Sequence, residues 1–429
     1  MTGLRFCFVT TFYPPYNFGG DGIAIQRLAR GLVNAGHRVS VLHDADAYLA
    51  LGGKPVRDVP PEPEGLEVIP LRSRVGTLSL LLTQQVGRPL VNGRRINRIL
   101  AEGQFDVINF HNISLIGGPG LLKYGDALKL YMAHEHWLVC PTHVLWRHRR
   151  ELCTGRQCGR CQLAYRRLPQ LWRYTKYLER QLVHVHAFIA LSEFSRAKHR
   201  EFGFPRDMEV LPCFLSDTPE TPESGGGPRP HPRPYFLFVG RLERIKGVQD
   251  VLPAFQKEGE TDFLIAGDGE YREELQVQAA GMSRVKFLGR IPSDDLARYY
   301  RHAVALIVPS VCFETFGIIL LEAFKQSTPV IARRLGPFPE ILAESGGGEL
   351  FETLEELSDA MNRLHSDPPY RDRLSRAGHE AFRKRWSDRV VVPRYLEIVR
   401  VAAEQQGRSK LASLLSPRAE SAPLGQYGS

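Results

Sequence analysis

Apolar residues along this chain follow two alternating rhythms. Short unbroken runs rich in β-branched and aromatic residues fall at 5–10, 38–43, 106–110, 128–134, 187–192 and 209–211. They return at 235–239, 262–266, 285–288, 304–308 and 328–332. Runs of this length, apolar on both faces, predict strands of parallel sheets that are covered on both sides. Between the runs the spacing changes to three and four. In the stretch 23–35 the apolar positions are 25, 28, 29 and 32, which is one face of a helix, and Gly36 stops it. Helices are also predicted at 192–203, 294–301, 318–326, 353–365, 370–385 and 389–404. The stretch 171–184 reads as helical, and 77–100 as helical with a break near Gly87-Arg88-Pro89. The helix opened by Lys246-Gly247 should be kinked by Pro253. One segment fits the rhythm poorly. LSLLLTQQV, 78–86, could line a groove or dip into a membrane surface, and burial in the core is the reading favoured here.

Strand and helix alternate in two series, which predicts an α/β fold of two Rossmann-like domains facing across a cleft. The first domain covers 1–216, with a Cys-rich basic insertion at 140–180. Residues 217–234 (DTPETPESGGGPRPHPRP from 217) are almost wholly Pro, Gly and polar, cannot bury a core, and read as a linker. The second domain covers 235–386. A last helix in 387–406 should return to the first domain, and the tail 407–429 should be mobile.

In an open parallel sheet, ligands sit beyond the carboxyl ends of the strands, and unusual residues gather there. Gly19, Gly20 and Gly22 follow the first strand, although the loop is not G-x-G-x-x-G. His111 and His134 end two further strands. A lone His is most often a packing residue, but two at equivalent strand ends point to one crevice, and His134 is the stronger active-site candidate. In the second half, Gly240, Arg241 and Lys246 follow one strand, Gly267 the next, and Gly289, Arg290 and Ile291 the one after. The segment 304–332 then carries Glu314, Phe316, Gly317, Ile318 and Glu322 around a helix start. Free amides and the positive dipole end make that start an anion site. Arg241 and Lys246 can clamp a diphosphate beside it, without a metal ion. The carboxylates Glu314 and Glu322 would then accept hydrogen bonds from hydroxyls on either side.

The 429 residues, 43% hydrophobic and 24% charged, suit an ordinary globular protein. No run approaches a membrane-spanning length, and the start reads as a strand rather than a signal peptide, so a cytoplasmic address is expected. The net charge of +9 is uneven, for residues 140–180 hold ten Arg or Lys against two Glu. Such a patch implies an anionic partner; a solvated face is the plain alternative. Four of the seven cysteines, Cys140, Cys153, Cys158 and Cys161, share this segment. Four thiols within 22 residues suit a closed, structural zinc site; free or redox-active thiols are the alternative.

FVGRLERIKG (238–247), GDGE (267–270), FLGRIP (287–292), ETFGIILLEAF (314–324) with PVIARRLGPFPEI after it, and FYPPYNFGGDGIAIQRLARGL (12–32) together resemble the retaining glycosyltransferases of GT-B fold in the large family-four, group 1 class. The resemblance covers about 5–400. It implies a nucleotide-sugar donor of UDP or GDP type, held by the second domain, and a hydroxyl acceptor on the side of the first. It assigns Arg241 and Lys246 to the diphosphate and Glu314 to the sugar hydroxyls. Phe316 to Ile318 would meet phosphates and sugar through the backbone, and Glu322 the ribose. Gly19 and Gly20 would approach the diphosphate from the other domain, and His134 would sit near the reacting carbon. Gly240, Gly267, Gly289, Arg290 and Ile291 complete the implied donor site. No catalytic metal is implied. The acceptor expected from the basic segment is lipid-linked or anionic, with peripheral membrane contact at the inner face, in glycolipid, polysaccharide or other envelope-glycan synthesis. An epimerase or phosphorylase on the same fold is the nearest alternative. A zinc-dependent nucleic-acid binder is a distant one, since it leaves the second domain unexplained.

Overall fold

Two parallel sheets carry the chain in a computed structural model, which describes residues 3–56, 59–217 and 228–416. The first sheet holds β1 (Arg5–Val9), β2 (Arg38–Asp44), β3 (Leu66–Leu71), β4 (Val107–Phe110) and β5 (Leu128–Ala133). A two-stranded hairpin, β6 (Trp146–Arg147) and β7 (Glu151–Leu152), interrupts it before β8 (Ala187–Ala190) and β9 (Glu209–Val210) complete it. Its order is β3-β2-β1-β4-β5-β8-β9. The second sheet holds β10 (Tyr235–Val239), β11 (Asp262–Ala266), β12 (Val285–Gly289), β13 (Ala305–Val308), β14 (Val330–Arg333) and β15 (Gly348–Phe351), in the order β12-β11-β10-β13-β14-β15. In each sheet the strand order reverses beside the first strand, between β1 and β4 and between β10 and β13. Those switch points open crevices at the carboxyl ends of the strands. Strands such as β5 and β13 are buried at every residue, as the unbroken apolar runs require.

The Gly20–Asn34 helix buries Ile25, Leu28, Ala29 and Leu32, the face set by their spacing. It starts earlier than the apolar pattern indicates, so the glycines open the helix instead of preceding it. The Asp388–Gln405 helix returns to the first domain as expected, and Asn109 Nδ2 donates to the buried Tyr395 hydroxyl at 3.0 Å.

Several elements differ from expectation. The 77–100 stretch forms two helices, Thr77–Val86 and Gly93–Glu102, separated at Gly87, whose φ is +71°. The first of them is not a core helix. It buries Ser79, Leu80 and Thr83 and exposes Leu78, Leu81, Leu82 and Val86. Leucines at 78, 80, 81 and 82 point all around a helix turning about 100° per residue, and the side that packs on the protein is the one holding two hydroxyl residues. Between β10 and β11 there is no α-helix but a series of 3₁₀ turns, Arg244–Lys246, Val248–Asp250 and Leu252–Phe255. Gly247 is left-handed, and Pro253 cannot donate to a longer helix. The 171–184 stretch divides into a 3₁₀ turn, Leu171–Tyr174, and the Tyr177–Leu182 helix. A helix that the apolar pattern did not indicate, Phe338–Ser345, follows directly after Gly336 and Pro337. The tail contains a further helix, Ser409–Leu415, that buries Leu411 and Ala412. Residues 417–429 of that tail and 218–227 of the expected linker lie outside the described residues. Among the described residues no helix is long and apolar enough to cross a membrane.

Candidate functional site

The loop after β13 turns sharply into the Ile318–Lys325 helix through Gly317, whose φ is +98°. A Cβ there would lie 2.6 Å from the Phe338 ring, so only glycine lets the loop pass and leaves the first amides of the helix open. Glu314 sits just before this turn. Lys246 Nζ donates to its Oε1 at 2.6 Å, and Ser310 Oγ donates to the same atom at 3.1 Å. Burial pushes the Glu314 carboxyl up, but the Lys246 charge and the two hydrogen bonds outweigh it and hold the group below its ordinary value. Burial likewise pulls the Lys246 ammonium down, and Glu314 lifts it above the ordinary lysine value. The pair is therefore charged on both sides at neutral pH. Arg241 is nearby but more exposed, and its Nη1 pairs with Glu243 at 2.7 Å.

Gly240, Gly267 and Gly289 form a row across the ends of β10, β11 and β12. Gly267 N–H donates to the Gly289 carbonyl at 2.7 Å, and Gly240 N–H to Ala266 at 3.1 Å. A Cβ on Gly267 would fall 1.8 Å from the Gly240 oxygen. Arg290 follows this row on the exposed side, with Ile291 half-buried behind it.

The first domain meets this site directly. Gly20, at the start of its helix, has its Cβ direction 3.7 Å from Ile318 Cγ2, so two helix N-termini approach one place and their dipoles reinforce each other. Gly19 is extended and ends the loop there. Glu322, one turn into the second helix, accepts from the Tyr300 hydroxyl at 3.0 Å and lies 3.5 Å from Arg27 Nη2 of the first domain. Thr315 Oγ1 donates to the His134 carbonyl at 2.8 Å, and Ser192 Oγ donates to the Thr315 carbonyl at 2.7 Å. Glu340 caps the Glu193–Glu201 helix across the same boundary by accepting from the Glu193 and Phe194 amides.

His134 and His111 are a hydrogen-bonded pair, Nε2 to Nδ1, at 2.9 Å. Burial drives both well down the scale, His134 to about 4, although the neighbouring Asp21 charge opposes the shift of His134. Burial raises the Asp21 carboxyl, against a weaker pull from His134 and from Asn112, whose Nδ2 lies 3.5 Å away. Near neutral pH both rings are uncharged, and each carries one N–H donor and one acceptor nitrogen.

The four cysteines of the insertion come close enough to act on one another electrostatically, with Cys140 and Cys161 buried and Cys153 and Cys158 half-buried. Arg173 lies beside Cys140 and Cys158. Burial lowers its guanidinium to about 10 while the thiols raise it, and it stacks 4.4 Å from the Trp172 ring centre. The His148 N–H donates to Cys161 Sγ at 3.3 Å. Among the described residues, no three His, Cys, Asp or Glu side chains are arranged to hold a metal ion.

Lys246, Glu314 and Gly317 thus meet in one place, with the glycine row on one side and Gly20 opposite. Arg241 lies close enough for its charge to act on Glu314 and Lys246, while its own ion pair is with Glu243. Sequence reasoning passed over Arg27, Tyr300, Thr315, Ser192 and Asp21. Asp21 lay within the glycine turn already singled out, and its charge beside three glycines was the signal available. The others are joined to the site only by contacts between distant segments.

Two family models match the chain, Glycosyl transferases group 1 over 221–381 and Glycosyltransferase Family 4 over 18–218. The chain is similar to a phosphatidyl-myo-inositol mannosyltransferase of Mycobacterium leprae, at 32% identity over 416 residues that cover 93% of this chain and 98% of the relative. Among solved structures it is similar to a sucrose-phosphate synthase from Thermosynechococcus elongatus, with a TM-score of 0.69 at 19% identity, covering 96% of this chain and all of that one. It is also similar to the Anabaena protein HepE in complex with UDP-glucose, with a TM-score of 0.61 at 17% identity and the same coverage.

Proposed function

We propose, for a chain that belongs to the glycosyl transferases group 1 family and has the GT-B fold, that it moves a sugar from a nucleoside diphosphate of UDP or GDP type to a hydroxyl acceptor with retention of anomeric configuration. That it is a glycosyltransferase follows from the family; donor, stereochemistry and acceptor are the proposal. The observation that carries it is the 2.6 Å bond between Lys246 and Glu314 beside the open helix start at Gly317. A cation for phosphate and a carboxylate for sugar hydroxyls meet where a diphosphate joins its sugar.

In this reading, the Gly317 turn and the Gly20 helix start give amides to the diphosphate, while Lys246 and Arg241 supply its counter-charge. This pre-arranged charge stabilises the leaving group as the bond from the anomeric carbon to phosphate oxygen breaks, with no catalytic metal ion. The acceptor oxygen bonds to the same face of the anomeric carbon, and its proton passes to the leaving phosphate oxygen. Glu314 holds sugar hydroxyls, Glu322 the ribose. His134, neutral and fixed by His111, offers a hydrogen bond near the reacting carbon. Gly240, Gly267, Gly289, Arg290 and Ile291 form the floor and rim of the donor site. The lipid acceptor named for the Mycobacterium leprae relative supports a lipid-linked or anionic acceptor and peripheral membrane contact for this chain. A structural zinc on Cys140, Cys153, Cys158 and Cys161 belongs to the same reading. Four thiols suit zinc chemically, but among the described residues they do not surround a common point, so metal analysis of the purified chain decides this part: about one zinc is expected, and a folded, metal-free protein removes it.

The test is a screen of UDP- and GDP-sugars with candidate hydroxyl acceptors. One donor should release its nucleoside diphosphate only when acceptor is present, and the product should keep the donor's anomeric configuration. An inverted product, or release independent of any acceptor, would sink the reading.

A further inference from the structure

We infer that the Thr77–Val86 helix and the apolar edge of the cysteine-bearing insertion form one surface that docks on an anionic phospholipid bilayer. Both elements bury polar side chains while exposing leucines. The helix packs Leu80 inward together with Ser79 and Thr83, and leaves Leu78, Leu81 and Leu82 in solvent, at 54%, 48% and 37% exposure. The insertion does the same, burying Gln162 and Gln170 and exposing Leu163, Leu168 and Leu171. A side that spends its buried positions on amides and hydroxyls while its leucines face water is poorly arranged for an isolated soluble protein.

The two elements are joined. Trp172 lies between Leu171 and Tyr174, and its Nε1 donates to the Gln84 carbonyl at 2.9 Å. Its ring also packs on Gly87, where a Cβ would come within 3.0 Å. The insertion therefore abuts the carboxyl end of the leucine helix and continues its surface.

Charge decides the occupant. Residues 72–98 contain six Arg and no Asp or Glu, and residues 152–178 contain six Arg or Lys and again none. All twelve but Arg173 are exposed. Exposed leucines bordered by cations, with acids excluded from both segments, fit lipid tails beneath anionic headgroups. A second copy of the chain would bring the same cations face to face. The inference deepens the peripheral contact of the proposed function by assigning it a surface, and it does not depend on the donor site.

The test is co-sedimentation of the full chain with vesicles of phosphatidylcholine, with and without about a third phosphatidylglycerol. The chain should pellet with the anionic vesicles, and binding should fall as salt screens the headgroups. The variant Leu81→Gln/Leu82→Gln/Leu171→Gln should weaken binding by about tenfold or more. Arg94→Gln/Arg95→Gln should weaken it by several-fold per charge, about fivefold if each is worth what a cation near a charged surface usually is. Both variants should keep the wild-type melting temperature and wild-type transfer to a water-soluble acceptor. Equal binding to neutral vesicles, or unchanged binding by the leucine variant, overturns the surface. So does a concentration-dependent dimer in light scattering that the leucine variant abolishes. Loss of vesicle binding with normal transfer separates failure of this surface from failure of the glycosyltransferase site, and the reverse result does the opposite.

Discussion

Two helices of this chain have similar apolar sequences and opposite fates. IILLEAFK, in the Ile318–Lys325 helix, buries Leu320, Leu321, Ala323 and Phe324. LSLLLT, in the Thr77–Val86 helix, leaves most of its leucines outside. The first lies between β13 and β14, so its apolar face is covered by a sheet on the way through, and its polar start is left open at the Gly317 turn. The second joins β3 to β4 through two helices and a glycine break, so its orientation is set by the neighbours it meets at Gly87 and Trp172. Hydrophobic content tells that a helix wants a cover; only topology tells whether the protein itself supplies it.

The comparison breaks most visibly at Leu321, which is fully buried. Leu321→Ala should lower unfolding stability by about 2–5 kcal/mol, the lost transfer energy plus the cavity left behind. Thermal or urea denaturation measures it. A change below about 1 kcal/mol would mean that this helix is no better covered than the other.

Next comes the chemistry at the start of the same helix. Lys246→Ala and Glu314→Ala should each reduce transfer by ~10²–10³-fold, the scale of losing one pre-arranged group that answers developing charge. Far-UV circular dichroism should stay native. Lys246→Ala should act mainly on donor binding and departure, and Glu314→Ala on the sugar. Near-normal turnover in either variant removes the assigned site.

Much of this was readable in the chain. The strand runs placed Gly240, Gly267 and Gly289 at strand ends, and the Glu314 to Glu322 spacing marked the helix start, because both signals are local. The contact of Lys246 with Glu314 spans 68 positions, and that of Arg27 with Glu322 crosses the domains. No local rhythm encodes such pairings. The strand β15 was missed because Gly348 and Glu349 give it no apolar alternation; it exists through its register with β14. The exposure of Leu81 was misread for the same reason that made Leu321 legible. A leucine-rich stretch is a demand for burial, and the sequence does not name the side that will meet it.

The two halves also differ in how they should respond to acid. His43, His111, His134, His136 and His199 are all buried and all in the first domain. Burial pulls each below its ordinary value, His43, His134 and His199 to about 4. The unfolded chain takes up these protons below about pH 6.5 and the folded one does not, so stability should fall as pH drops from about 6.5 toward 4. Asp44 works the other way. Burial raises it to about 7, so its protonated form favours folding at low pH and that contribution is lost as pH rises toward 7. Asp21, also raised by burial, acts in the same direction as Asp44, and the five histidines outnumber the two acids. Hydrogen exchange between pH 7 and 5 should loosen the first domain before the second. Equal loosening of both would show that the buried rings are not the acid-sensitive element.

The smallest expected effect is the most informative about the comparison. Leu81→Gln replaces a leucine that is already half in water. Burial that never occurred cannot be lost, so stability in solution should change by no more than about 0.5 kcal/mol, even though the same chemical change at Leu321 would be severe. Glutamine also keeps reasonable helix propensity, which leaves the backbone argument neutral. A stabilised or unchanged protein that loses vesicle affinity would mean that Leu81 serves contact with something outside the chain. A loss of about 2 kcal/mol or more in solution would instead place Leu81 among core leucines. It would then be the second helix, not the first, whose cover had been misjudged.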